Sequence, residues 1–400
     1  MTDASPLSGA STAPTVPRHL QIMICAGEIS GDLYGAALVR QLRAQLPDAS
    51  VSFFGIGGDR MREEGVELLA HASQTGVIGF WEVLKRIRFF SKLLKKLAAL
   101  LVDRKPDLLL TIDYPGMNLR LAKKAKSLGI RAVHYVCPQV WAWHRDRIPK
   151  IAADVDQLIC LFPFEPKLFD GFGLDVRFVG HPLVDQIAAF RAAPHPPLPW
   201  GNGHKIALFA GSRRNEVTRL LPDILAGAKM AEERLGPCSF LLPVPTEERA
   251  DDVRSLLARL PQKPKHVEVL VGHSRQVLEE AEAAVVKSGT STLEAALLDC
   301  PFVIVYRVSF STYAIMKHLL TGVRFIGLVN IVPDKPICKE LIQYGLTPKA
   351  VCDELVALVD DADYRNRQKT GLAEVRALLG NAGATERAAA TIAAALKKYP

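Results

Sequence analysis

Strand-length apolar runs alternate with helical periodicity along most of the chain, stop at a proline-rich break, and then start again. Apolar, β-rich runs at residues 20–26, 51–56, 107–112, 132–137, 157–162 and 177–179 are separated mostly by helical pattern. Pro194-His195-Pro196-Pro197-Leu198-Pro199-Trp200-Gly201-Asn202-Gly203 then interrupts, and its four prolines and two glycines make a hinge or linker. The alternation resumes at 205–210 and continues through 238–242, 267–270, 283–286, 302–306 and 325–329. From about residue 347 the pattern is helical only. Each series predicts one parallel sheet covered by helices on both faces. The chain is expected to be α/β, with two doubly wound Rossmann-like domains facing a central cleft, the default place for a ligand. The expected division is a flexible tail at 1–19, a domain at 20–192, a hinge at 193–204, a domain at 205–380 and a terminal helix at 381–400 free to pack back on the first domain.

Composition agrees with this reading. At 400 residues the chain is long for one core, and 49% hydrophobic with 23% charged residues is ordinary globular usage. No apolar run reaches the length of a bilayer span. Residues 1–19 are rich in Ser, Thr, Ala and Pro, without the apolar stretch of a secretory signal. Seven cysteines without a C-x-x-C pair speak against a disulfide framework or a thiolate zinc site, so a cytosolic chain with reduced thiols is expected.

Two strand-to-helix junctions in the second series suit bound phosphate. Gly211-Ser212-Arg213 puts backbone N–H groups and a guanidinium together at a helix start. Ser288-Gly289-Thr290-Ser291 is a small-residue loop after another apolar run, with Glu294 placed to accept from ribose hydroxyls. Ordinary turns and helix capping are the rival readings. Other nucleotide signatures are missing. There is no G-x-x-x-x-G-K-[ST], and Gly55-Ile56-Gly57-Gly58 lacks the last dinucleotide glycine and reads as a loop. Neither Asp154-Val155-Asp156 nor Asp361-Ala362-Asp363 follows a strand, so no metal and no other cofactor is expected.

In the first series Asp113 stands just past the run at 107–112, where a carboxylate can act as a general base or merely start a turn. Glu28 and Asp32 follow the first run in the same way, with Ser30 between them. Trp143 and Arg145 offer an aromatic face and a cation to a sugar phosphate, although core anchoring is as common for Trp.

The formal charge of +8 is concentrated rather than spread. Residues 81–105 hold eight basic and two acidic side chains. Val83, Ile87, Phe90, Leu94, Leu97 and Leu101 form the apolar stripe of a helix, with Lys85, Arg88, Lys92, Lys95 and Lys96 opposite. Either the stripe enters a core, or Val77, Ile78, Phe80, Phe89 and Leu93 belong to a surface for acyl chains and anionic lipid. No nucleic-acid reading motif accompanies the charge, so nucleic acid is disfavoured.

Taken together and in order, Gly27-Glu28-Ile29-Ser30-Gly31-Asp32, Ile112-Asp113-Tyr114-Pro115-Gly116-Met117-Asn118, Pro138-Gln139-Val140-Trp141-Ala142-Trp143, Val179-Gly180-His181-Pro182, Gly211-Ser212-Arg213 and Ser288-Gly289-Thr290-Ser291-Thr292-Leu293-Glu294 resemble the lipid A disaccharide synthase family. The resemblance runs from about residue 20 to beyond 343. It implies a GT-B glycosyltransferase fold. It also implies inverting transfer of 2,3-diacylglucosamine from its UDP conjugate to 2,3-diacylglucosamine 1-phosphate, giving the β-1,6 disaccharide 1-phosphate and UDP. Asp113 would be the base, and Arg213, Glu294, Asn330 and Glu340 would lie on the donor side. Asn118 joins Glu28, Ser30, Asp32, Trp143 and Arg145 as an expected acceptor residue. Arg214 doubles the family's arginine, and Met117 stands where a Phe is expected. Such a chain is expected in the cytoplasm, held peripherally at the inner membrane, with a homodimer left open. The alternatives are another GT-B enzyme such as a UDP-N-acetylglucosamine 2-epimerase, or a non-catalytic nucleotide-sugar or lipid-binding protein.

Overall fold

The computed structural model describes residues 18–75, 80–142, 144–309, 313 and 324–397, without the side chains of 18, 29, 74, 75, 80–87 and 397. Val77, Ile78 and Trp143 lie outside the described residues, as do the side chains of Phe80 and Lys85.

Seven parallel strands form the first sheet: β1 (Arg18–Ala26), β2 (Ala49–Gly57), β3 (Glu67–His71), β4 (Leu108–Ile112), β5 (Arg131–Tyr135), β6 (Gln157–Cys160) and β7 (Asp175–Phe178), in the order β3-β2-β1-β4-β5-β6-β7. The second holds β8 (His204–Phe209), β9 (Cys238–Val244), β10 (Val267–Val271), β11 (Ala283–Lys287), β12 (Phe302–Tyr306) and β13 (Glu340–Ile342), in the order β10-β9-β8-β11-β12-β13. Both run outward from their first strand in two directions, which is the doubly wound arrangement.

The physical cause is visible in β8. Ile206 and Leu208 enter a core with helix Arg214–Leu235, while Ala207 and Phe209 enter the core on the opposite face. A strand covered on both sides has no polar face, so its sequence is a continuous apolar run.

Contacts divide the chain into two compact units. One comprises 1–135, 154–156 and 388–400; the other comprises 136–153 and 157–387. Helix Pro182–Ala192 precedes the proline-rich segment, yet Leu183 and Ile187 are buried in a core of the second sheet. Each such burial stabilises by about 1.5–3 kcal/mol.

Three local expectations fail. β3 carries no strong apolar run because it is a half-buried edge strand. Gly55 and Gly57 belong to β2 rather than to a loop. Residues 325–329 are not a strand: Glu340 takes the N–H groups of Ile326 and Gly327, and a short helix, Leu328–Ile331, begins there. The sixth strand of that sheet is β13.

Candidate active site

In each sheet the order reverses beside the first strand, and ligands gather beyond the strand ends at such points. Ala26 of β1 pairs with Ile112 of β4, so the loops starting at Gly27 and Asp113 leave the first sheet side by side. Tyr114 lies against Gly27 so closely that a Cβ there would stand 2.6 Å from its ring. Asp113 is half-buried, its N–H donates to the Tyr135 carbonyl at 2.8 Å, and its own carbonyl accepts from Asn118 Nδ2 at 2.7 Å. Burial raises the Asp113 pKa from its ordinary value, against a smaller opposing effect of the Tyr114 N–H. A carboxylate with a raised pKa is a stronger base once ionised.

Glu28 and Ser30 are exposed at the start of helix Ile29–Gln45. Asp32 is only 6% exposed, and its oxygens accept from the N–H groups of Gly58, Arg60 and Met61. Asn118 is fully buried, with Nδ2 donating to the carbonyls of Cys25, Ile112 and Asp113. Both brace the loops that carry the site.

Helix Phe80–Arg104 reaches this loop as well. Its Phe90 ring lies 6.3 Å from the Tyr114 ring and 5.5 Å from that of Phe89. Arg88, Phe89, Lys92, Lys95 and Lys96 are exposed, whereas Leu93, Leu97 and Leu101 are buried. Leu93 therefore belongs to the core and not to an exposed apolar surface, because it shares one helix face with Leu97 and Leu101.

In the second sheet Phe209 of β8 pairs with Val286 of β11. The loops beyond them line a pocket of about 430 Å³ with Gly211, Ser212, Arg213, Glu216, Lys287, Gly289, Thr290 and Ser291 in its walls. Gly211 has φ +108°, and a Cβ there would stand 2.5 Å from Glu216 Oε2, so glycine is required. Helix Ser291–Leu297 has only seven residues, so the positive charge of the pocket comes mainly from Arg213 and Lys287.

A family model described as lipid-A-disaccharide synthetase matches residues 22–394. The chain belongs to the lipid-A-disaccharide synthetase family. It is 39% identical over 382 residues to the lipid-A-disaccharide synthase of Trichlorobacter lovleyi, covering 94% of this chain and 98% of that one. The synthase of Myxococcus xanthus is also 39% identical, over 376 residues, with 93% and 96% covered. Among solved structures the fold resembles a putative UDP-N-acetylglucosamine 2-epimerase from Listeria monocytogenes, with TM-score 0.65, 11% identity, and 96% and 98% covered. It also resembles MurG of Acinetobacter baumannii, with TM-score 0.53, 16% identity, and 96% and 100% covered. Likeness at that identity establishes the GT-B fold alone. Membership of the lipid-A-disaccharide synthetase family makes the chain a glycosyltransferase of lipid A biosynthesis, and the epimerase reading is not favoured.

Against the family's motifs, the pocket gathers Gly211, Ser212, Arg213, Gly289, Thr290 and Ser291. Its lining does not include the other expected donor residues. Ser288 Oγ donates to the Ile326 carbonyl, and Glu294 pairs with Arg275 at 3.1 Å. Asn330 bonds to both backbone groups of Cys338 and to Glu340, which in turn accepts from Ile326 and Gly327. These two brace the chain next to the site. Lys287 and Glu216 are pocket residues that the sequence reading did not single out.

Arg145 is exposed in the second unit. His181 of the family's Val-Gly-His-Pro segment accepts from the Leu183 N–H, and burial lowers its pKa to about 4. Cys137, Cys160 and Glu165 approach within 4.8 Å, but all are buried and Glu165 already accepts from the Leu161 and Phe162 N–H groups. Burial pushes the Glu165 pKa up to about 8, partly offset by those two bonds. All seven cysteines are free. Of the Asp triplets, Asp156 pairs with Lys126 and accepts from Ala132, and Asp361 caps a helix by accepting from Tyr364.

Proposed function

We propose that this glycosyltransferase moves a 2,3-diacylglucosamine unit from its UDP conjugate to the 6-hydroxyl of 2,3-diacylglucosamine 1-phosphate, with inversion at the anomeric carbon. The observation that supports the reading is that each sheet ends in a set of strand-end loops, one carrying Asp113 and the other a pocket lined by Arg213. Asp113 takes the proton of the acceptor hydroxyl as its oxygen attacks C1. The bond from C1 to the diphosphate breaks, and Arg213 meets the charge that grows on UDP. Glu294 recognises the ribose, Ser288, Gly289, Thr290 and Ser291 close on the diphosphate, and Asn330 with Glu340 holds the adjoining chain. Glu28, Ser30, Trp143 and Arg145 receive the acceptor, while Asp32 holds the Gly58–Met61 turn and Asn118 the strand ends at Cys25 and Ile112–Asp113.

Both substrates carry acyl chains, so the enzyme must meet a lipid surface. Among the described residues no helix is long and apolar enough to cross a membrane. The exposed Arg88, Phe89, Lys92 and Lys95 suit peripheral attachment to an anionic bilayer. The Phe89–Phe90–Tyr114 contacts then lead from this surface toward Asp113. The location proposed for the enzyme is therefore the cytoplasmic face of the inner membrane.

The stereochemistry tests the mechanism. The disaccharide formed from both acylated sugars should show a β-1,6 linkage by NMR; an α linkage would require a different mechanism and remove Asp113 as a single base.

A further inference from the structure

The pocket assigned to the diphosphate contains an acid. Glu216 is largely buried, with 17% of its side chain exposed. Its Oε1 lies 2.9 Å from Lys287 Nζ and 3.6 Å from Arg213 Nη1, and its Oε2 accepts from the Ser212 N–H at 3.2 Å. A carboxylate facing a diphosphate is repulsive, so its presence calls for a role. Lys287 is the last residue of β11, placed immediately before the Ser288–Ser291 loop. Its side chain is 20% exposed, and Nζ lies 5.8 Å from the Tyr306 ring centroid, on the pocket wall. An ammonium on a flexible four-carbon stem can exchange partners over a few ångströms without backbone movement.

We infer that Lys287 is a second cation for the diphosphate leaving group, and that Glu216 is a placeholder anion which holds Lys287 and Arg213 in the pocket until a diphosphate displaces it. The inference rests on reading this pocket as the UDP-sugar site and names the groups that grip the diphosphate there. Two cations facing one carboxylate leave a net positive charge. Transfer of both cations to the diphosphate increases the attraction, while the Ser212 N–H keeps Glu216 bound at the helix start. Glu216 acts through these neighbours and is therefore a positioning residue.

Titration calorimetry with UDP and with uridine separates this from a structural ion pair. Lys287→Met should weaken UDP about tenfold or more and leave uridine unchanged, because only the diphosphate loses a charge-assisted bond. Lys287→Arg should restore most of the loss. Glu216→Gln should tighten UDP several-fold, again without affecting uridine. Arg213→Ala is the control for the pocket itself. Unchanged UDP affinity in both Arg213→Ala and Lys287→Met would overturn the site assignment. Loss in Arg213→Ala with none in Lys287→Met overturns the role of Lys287 alone, as does equal weakening of UDP and uridine. Weaker or unchanged UDP binding in Glu216→Gln overturns the placeholder role. If Lys287→Met does not fold, Lys287→Gln measured against Lys287→Arg decides the same question.

Discussion

Asp113 and Tyr114 hold φ angles of +47° and +49° although neither is glycine. Such conformations cost about 1–3 kcal/mol each and persist where the surroundings fix them, here through Asn118 and the Tyr135 carbonyl. The constraint keeps a partly buried carboxyl at the strand end. Because burial raises its pKa, and because a base must be ionised to work, kcat/KM should rise with pH through a limb above the usual ~3.9 of a free Asp. Asp113→Asn should abolish that limb and lower kcat by about 10²–10⁴. A limb that survives in the Asn variant would assign it to another group. Asp32 makes the contrasting case. Asp32→Ala strands three backbone donors and should cost about 2–3 kcal/mol in urea unfolding. A folded variant of unchanged stability with a raised KM for acceptor would instead make Asp32 a binding group. The sequence singles out Asp32 and Asn118 but does not distinguish contact with a ligand from support of a loop. That depends on partners such as Gly58 and Cys25, which are distant in the chain. Lys287 and Glu216 escape notice for the same reason, since no spacing rule joins residues 71 positions apart.

The helix Phe80–Arg104 shows what periodicity settles and what it leaves open. Its stripe was legible, and Leu97 and Leu101 are buried as a stripe facing a core requires. Leu93 joined them because the apolar flank is wide enough for packing to select which members are covered. The basic face remains exposed and adjacent to Phe89. With about 1 kcal/mol available per Lys or Arg near anionic lipid, replacing Arg88, Lys92, Lys95 and Lys96 by Ser should strongly reduce co-sedimentation with anionic vesicles at low salt. Unchanged binding would leave the helix a core element with a solvated face.

At the scale of the molecule, the doubly wound order of both sheets was legible because strands buried on both faces are apolar throughout. The edge strands β3 and β13 were not, since they are short and only partly covered. The fold supplies two switch points, and the family supplies the chemistry they serve. The decisive measurement is mass spectrometry of a reaction containing the purified protein, UDP-2,3-diacylglucosamine, 2,3-diacylglucosamine 1-phosphate and EDTA. The transfer mechanism predicts disaccharide 1-phosphate and UDP in equal amounts, with neither accumulating in Asp113→Asn. It would be contradicted by UDP release without disaccharide, by activity that requires added Mg²⁺, or by full turnover in Asp113→Asn.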